Sequence, residues 1–212
     1  MSRHIIIDNS NIYSTMTGAA ARIEPQVPWV GIRMHLDNFF DALENRSETP
    51  TRVFVGSEKS AAASIWQKAK DRGYETYILK RIIDSDDTTS EQAVDEIAHL
   101  KIANAVLDYD GEQTLVIVSG DGKISDFGTS FPQQAERALK RGWSVEVWAF
   151  SDGMTSAYKH LMDAYPGRLR KVYLDDFYDN ITFVQTHNLR NPTASLPVHL
   201  KRNAKSLIWP WL

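Results

Sequence analysis

Two short runs constrain this chain more than anything else in it: Ile5-Ile6-Ile7, closed by Asp8, and Leu115-Val116-Ile117-Val118, closed by Ser119-Gly120-Asp121. An uninterrupted apolar run too short for a helix reads as a strand covered on both faces, which is the condition of a strand inside a parallel sheet. Further β-rich runs fall at Arg52–Val55, Glu75–Leu79, Ser144–Phe150 and Lys171–Leu174. Between them the spacing predicts helices over Gly31–Glu44, Ala61–Arg72, Glu91–Leu107, Pro132–Lys140 and Thr155–Ala164. Strands alternating with helices predict an α/β domain, a parallel sheet with helices on both faces. Thr89 and Gln92 have the spacing of a capping box at the start of the third helix.

Two stretches fall outside the alternation. Ser14–Pro28 reads as a long loop after the first strand. From residue 184 onward the chain reads as a basic arm carrying Arg190, Lys201, Arg202, Lys205, Trp209 and Trp211, attached to a domain over residues 1–183. Such an arm suits either clamping a single nucleic-acid strand by phosphate attraction and base stacking, or packing onto the domain or a second copy as a homodimer contact. Packing is the preferred reading.

Composition narrows the chemistry. The 212 residues include no cysteine, which removes disulfides, thiolate zinc sites and cysteine nucleophiles. A net charge of −3 shows no basic surplus for nucleic acid, although it does not locate the basic residues. No apolar run reaches the ~18 residues of a membrane span, and the first residues lack a signal-peptide layout, so an intracellular, cytoplasmic protein with no membrane partner is expected. The six histidines show no ligand spacing, and neither phosphate-loop nor dinucleotide-binding glycine fingerprint is present. A haloacid-dehalogenase-type phosphatase would need a second acid two residues past Asp8, where Ser10 stands.

The carboxylates stand where ligands bind in open α/β sheets, outside the carboxyl ends of strands. With strand order 3-2-1-4-5, Asp8 and Asp121 end neighbouring strands. The segment Asp84–Ser90 would then return to the same rim, and Asp95, in the first turn of the next helix, would bring a third acid. Two carboxylates ~5 Å apart at an effective dielectric of ~20 repel by about 3 kcal/mol, so such a cluster needs a cation or a shared proton. All-oxygen ligation points to Mg²⁺ or Mn²⁺. Against this stands the plain alternative that a strand-end Asp forms a turn or caps a helix. Ser130 before Phe131-Pro132 likewise reads as a helix cap first and a phosphate site second.

Ile5-Ile6-Ile7-Asp8-Asn9-Ser10-Asn11-Ile12 resembles the opening of the NYN domain family of PIN-like ribonucleases. Ala93-Val94-Asp95, Val118-Ser119-Gly120-Asp121-Gly122 and Arg141-Gly142-Trp143-Ser144-Val145-Glu146-Val147-Trp148 are similar to its later motifs, in family order. The resemblance implies a PIN-like 3-2-1-4-5 sheet and metal-dependent hydrolysis of RNA to 5′-phosphate products. It puts the metal and catalytic acids on Asp8, Asp95 and Asp121, and orienting or substrate-contacting roles on Asn9 and Asn11; Ser119 lies within the matching Ser-Gly-Asp-Gly motif. One departure is visible: the family's next acid is replaced by Lys123, leaving Asp126 to supply it from a longer loop or to face solvent, and leaving Lys123 to touch a phosphate. That departure keeps a second reading open, a PIN-like module that binds RNA or a protein without cutting.

Overall fold

The computed structural model describes residues 1–58, 62–79, 82–83, 89–90, 94–125, 128–187, 189 and 195–207. Six parallel strands make the main sheet: β1 (Arg3–Asp8), β3 (Thr51–Ser57), β4 (Glu75–Leu79), β7 (Thr114–Val118), β8 (Ser144–Ala149) and β9 (Leu169–Tyr173), ordered β4-β3-β1-β7-β8-β9. Alternation within each strand splits the core in two. Ile5 and Ile7 of β1 join Phe54, Val116, Val118 and Trp148 on one face. Ile6 joins Val53, Val55, Leu115, Ile117 and Val147 on the other.

The first face is covered by α1 (Asn9–Ile23), α2 (Leu36–Glu44), α3 (Ala63–Asp71) and the single turn α7 (Tyr178–Ile181). The second is covered by α4 (Val94–Asp108), α5 (Phe131–Lys140) and α6 (Lys159–Ala164). Both faces of the central strands are therefore sealed, which is why their runs are apolar throughout. A charged group is nevertheless buried within the sheet: Glu146 of β8 receives Nη1 and Nη2 of Arg3 at 3.1 and 2.7 Å, Nη2 of Arg170, and the Trp148 indole N–H at 2.8 Å. Burial alone would raise the Glu146 carboxyl, but its bonds to Arg3, backed by Arg170 and Trp148, hold it below the usual carboxylate range.

Three expected assignments are corrected. Ser14–Pro28 is not a long loop; most of it is α1, capped by Asp8 and burying Ile12, Met16, Ala19 and Ala20 along one stripe. The helix expected over Gly31–Glu44 begins only at Leu36, because Ile32–Met34 forms β2 and pairs antiparallel with β10 (Thr182–Val184). The helix expected over Thr155–Ala164 is confined to its last six residues, Lys159–Ala164. Thr89 of the expected capping box lies in β6 (Thr89–Ser90), paired antiparallel with β5 (Ile82–Ile83), and Gln92 lies outside the described residues.

Residues 195–207 pack back on the domain. Val184 bridges Arg202, Leu200 and Leu207 rest on the first core, and Lys205 Nζ reaches Asp179 Oδ2 at 2.5 Å. Arg202 forms a fork on Glu24 at 2.9 Å for each arm and donates to the carbonyl and hydroxyl of Thr182, its guanidinium lying over the Tyr178 ring. Trp209 and Trp211 lie outside the described residues. Among the described residues no helix is long and apolar enough to cross a membrane.

Candidate active site at the ends of β1 and β7

The register puts Ile7 beside Val118, so Asp8, the last residue of β1, stands beside Ser119, the first residue after β7. The Ser119 hydroxyl donates to Asp8 Oδ2 at 3.1 Å and accepts the Asp121 N–H at 3.3 Å. Two strand-end carboxylate residues are thereby held through one buried hydroxyl. Asp8 Oδ1 accepts the Asn11 N–H at 3.1 Å as the cap of α1, and the Asn11 side chain in turn accepts the Gly120 N–H at 3.0 Å. The first turn of α1 and the loop after β7 are thus tied in both directions. A negative group at a helix N-terminus is also favoured by the helix dipole.

Glycine makes this approach possible. A Cβ on Gly120 would stand 2.0 Å from the Gly153 carbonyl oxygen, and one on Gly122 would stand 2.6 Å from Thr155 Oγ1. The loops after β7 and β8 therefore run backbone against backbone, joined by the Thr155 N–H on the Gly120 carbonyl at 3.0 Å. Above them opens a shallow depression of about 450 Å³ lined by Asn11, Gly120, Asp121, Gly122, Lys123, Gly153 and Thr155. Asp8 lies beneath it, 3% exposed.

The other expected site residues are spread more widely. Asp95 is half-buried in the first turn of α4. Lys123 is exposed, and its N–H donates to Asp121 Oδ1 at 2.8 Å. Asn9, 7% exposed, faces a different and larger cavity on the α1 side rather than the depression above Asp121. Ser130 caps α5, its hydroxyl accepting the Gln133 N–H at 3.3 Å. Asp126 lies outside the described residues. Among the described residues no three acidic or imidazole groups gather closely enough to share one cation.

His99, which reads from the sequence as helix surface or core edge, is buried. It is 2% exposed on α4, one turn beyond Asp95, and its Nδ1 meets Thr129 Oγ1 at 2.9 Å. Its Nε2 has no hydrogen-bond partner among the described residues, nor has the buried Tyr158 hydroxyl. Burial pushes the His99 imidazole down to about 4, against the opposing pull of Glu96 and Asp121 and with a further push from Arg137. Burial, reinforced by the Asp121 charge, holds the Tyr158 phenol far above its usual range. Asp121 therefore acts on polar groups of both α4 and the segment leading to α6. The one signal for His99 in the sequence was its i+4 spacing from Asp95.

No family model and no curated protein sequence matches the chain. Among solved structures, it is similar to a Vibrio parahaemolyticus protein of unknown function, with a TM-score of 0.53 and 16% identity over 82% of this chain and 94% of that one. The likeness extends the α/β fold to that protein and carries no activity with it.

Proposed function

We propose that this chain is a Mg²⁺- or Mn²⁺-dependent ribonuclease of the PIN-like type, acting on single-stranded RNA at the carboxyl ends of β1 and β7. The observation that carries the reading is the pairing of β1 with β7, which sets Asp8 and the loop bearing Asp121 at adjacent strand ends tied through Ser119. The resemblance of the surrounding motifs to NYN domains supports it. Each carboxylate oxygen has two lone pairs. Asp121, whose Oδ1 accepts the Lys123 N–H, therefore retains acceptor capacity. Magnesium keeps several waters and takes one or two protein carboxylates beside substrate phosphate. Asp8 and Asp121 fit that hydrated mode, with Asp95 adding charge from α4; the described residues do not fit a dry cage of three direct carboxylates.

When bound, the cation would acidify a water and offset charge on the phosphoryl oxygens. The chain's own groups orient the site. Asn11 fixes the Gly120 amide, Ser119 fixes Asp8, and Lys123 on the exposed loop offers a positive charge to a phosphate.

A second reading has an observation behind it. Asp8 is buried with both oxygens hydrogen-bonded, as a purely structural helix cap would be, and no three-acid cluster forms among the described residues. A module that binds RNA or a protein without cutting satisfies both facts. The two readings separate in an assay of the purified chain on 5′-labelled single-stranded RNA with Mn²⁺ or EDTA, beside Mn²⁺ titration calorimetry. Asn caps a helix about as well as Asp, so Asp8→Asn removes charge while keeping α1 anchored. Manganese-dependent cleavage that Asp8→Asn and Asp121→Asn both abolish supports the nuclease; RNA binding with neither cleavage nor Mn²⁺ uptake establishes the non-cutting module.

A further inference from the structure

The larger cavity beside Asn9 encloses about 620 Å³. It lies between the first turns of α1, the start of α3 and the β2–β10 ribbon. Because α1 and α3 leave the carboxyl ends of β1 and β3, it opens on the same rim as Asp8. Asn9 lines it while the preceding residue, Asp8, belongs to the candidate cation site.

Its lining is specific in kind. Tyr13, His35 and Phe183 supply three rings, with His35 and Phe183 edge to face at 6.3 Å. Met16, Met34 and Ile65 give apolar walls. Asn9 and Gln185 bring amides that both donate and accept, and Arg33 and Lys68 bring positive charge. Arg33 Nη1 is engaged by the carbonyls of Val30 and Ile32, and Lys68 pairs with Asp37 at 2.5 Å. No carboxylate belongs to the described lining itself. Cavities that hold small ligands span ~300–1,000 Å³ and combine apolar walls with a few convergent polar groups.

We propose that this cavity receives an unstacked base of a single-stranded RNA, seated against the Phe183 and Tyr13 rings and read by the Asn9 and Gln185 amides. The strand's phosphates then meet Lys68 and Arg33 on their way to Asp8. Flat rings with mixed donor and acceptor edges match these walls, and the absence of lining carboxylates admits a polyanion. The inference deepens the RNA reading above and rests on it for the identity of the ligand, but not on any cleavage.

The test measures binding, in EDTA, of the whole chain to fluorescein-labelled octa-adenylate and octa-uridylate by anisotropy. Ser64 is exposed at the cavity mouth, so Ser64→Trp obstructs it from outside the core. Phe183→Leu removes the ring while keeping apolar bulk, and circular dichroism verifies that both variants fold. Base–aromatic stacking predicts a loss of about tenfold or more in affinity for either folded variant. Wild-type affinity in folded Ser64→Trp and Phe183→Leu, beside a parent that binds RNA, overturns the pocket and leaves the ribonuclease reading standing. Loss of binding in both variants, in a chain that cleaves no RNA with Mn²⁺, supports the pocket and refutes the nuclease. A parent that binds neither oligomer overturns both.

Discussion

The buried His99 imidazole makes the domain acid-sensitive by an amount that can be worked out. Its pKa falls from the ordinary 6.5 to about 4 because burial disfavours the charged ring. The depressed folded value means the unfolded chain binds more protons over this window, so the contribution is fully present above 6.5 and is lost as pH falls towards 4. At about 1.4 kcal/mol per pKa unit, the whole window is worth ~3 kcal/mol, of which ~2 kcal/mol is lost between pH 7 and pH 5. Glu96, Asp121 and Arg137 face the ring and remain in a His99→Gln variant, which cannot titrate. Urea unfolding in EDTA at both pH values, for wild type and variant, isolates the term: wild type loses about 2 kcal/mol more than His99→Gln. His4, also held low by burial, contributes equally to both chains and cancels. Equal losses would refute the reasoning and place a proton on buried His99 at neutral cost.

Three further outcomes are expected. Gly120→Ala drives a methyl into the Gly153 carbonyl, so it destabilises by at least about 1–3 kcal/mol and loosens the Asn11–Gly120 bond, read by thermal melting. Glu146→Leu leaves Arg3, only 5% exposed, without its main counter-charge; denaturant unfolding should show a loss of about 3–5 kcal/mol. Arg202→Ala removes four side-chain hydrogen bonds to Glu24 and Thr182. It should cost about 1–3 kcal/mol of stability while leaving RNA affinity unchanged, because that guanidinium is already committed within the fold.

The parallel sheet was readable because sealing both faces leaves continuous apolar runs, and β1 and β7 carry the clearest ones. That Asp8 and Asp121 follow strand ends came from the same runs, whereas their adjacency depended on an assumed strand order and is set by the pairing of β1 with β7. The α1 helix was hidden by its Ser, Thr and Gly content, which lowers helix propensity. Its hydroxyls turn back on the helix instead, Thr15 donating to the Asn11 carbonyl at 2.8 Å and Thr17 to that of Ser14 at 2.7 Å. The β2 strand was out of reach for a different reason: its partner, Thr182–Val184, lies some 150 residues away, and no local signal encodes a distant pairing. The Asn11–Gly120 tie and the burial of His99 beside Thr129 and Phe131 are likewise products of packing between elements.

The Arg202 fork on Glu24 also orders events in time. During synthesis, α1 emerges near the start, yet the guanidinium that neutralises Glu24, its C-cap, arrives only after every strand of the main sheet has been made. The far end of α1 is therefore fastened only when that late segment docks, while its first turn, with Asn9 and Asn11, is already held by Asp8 and Gly120.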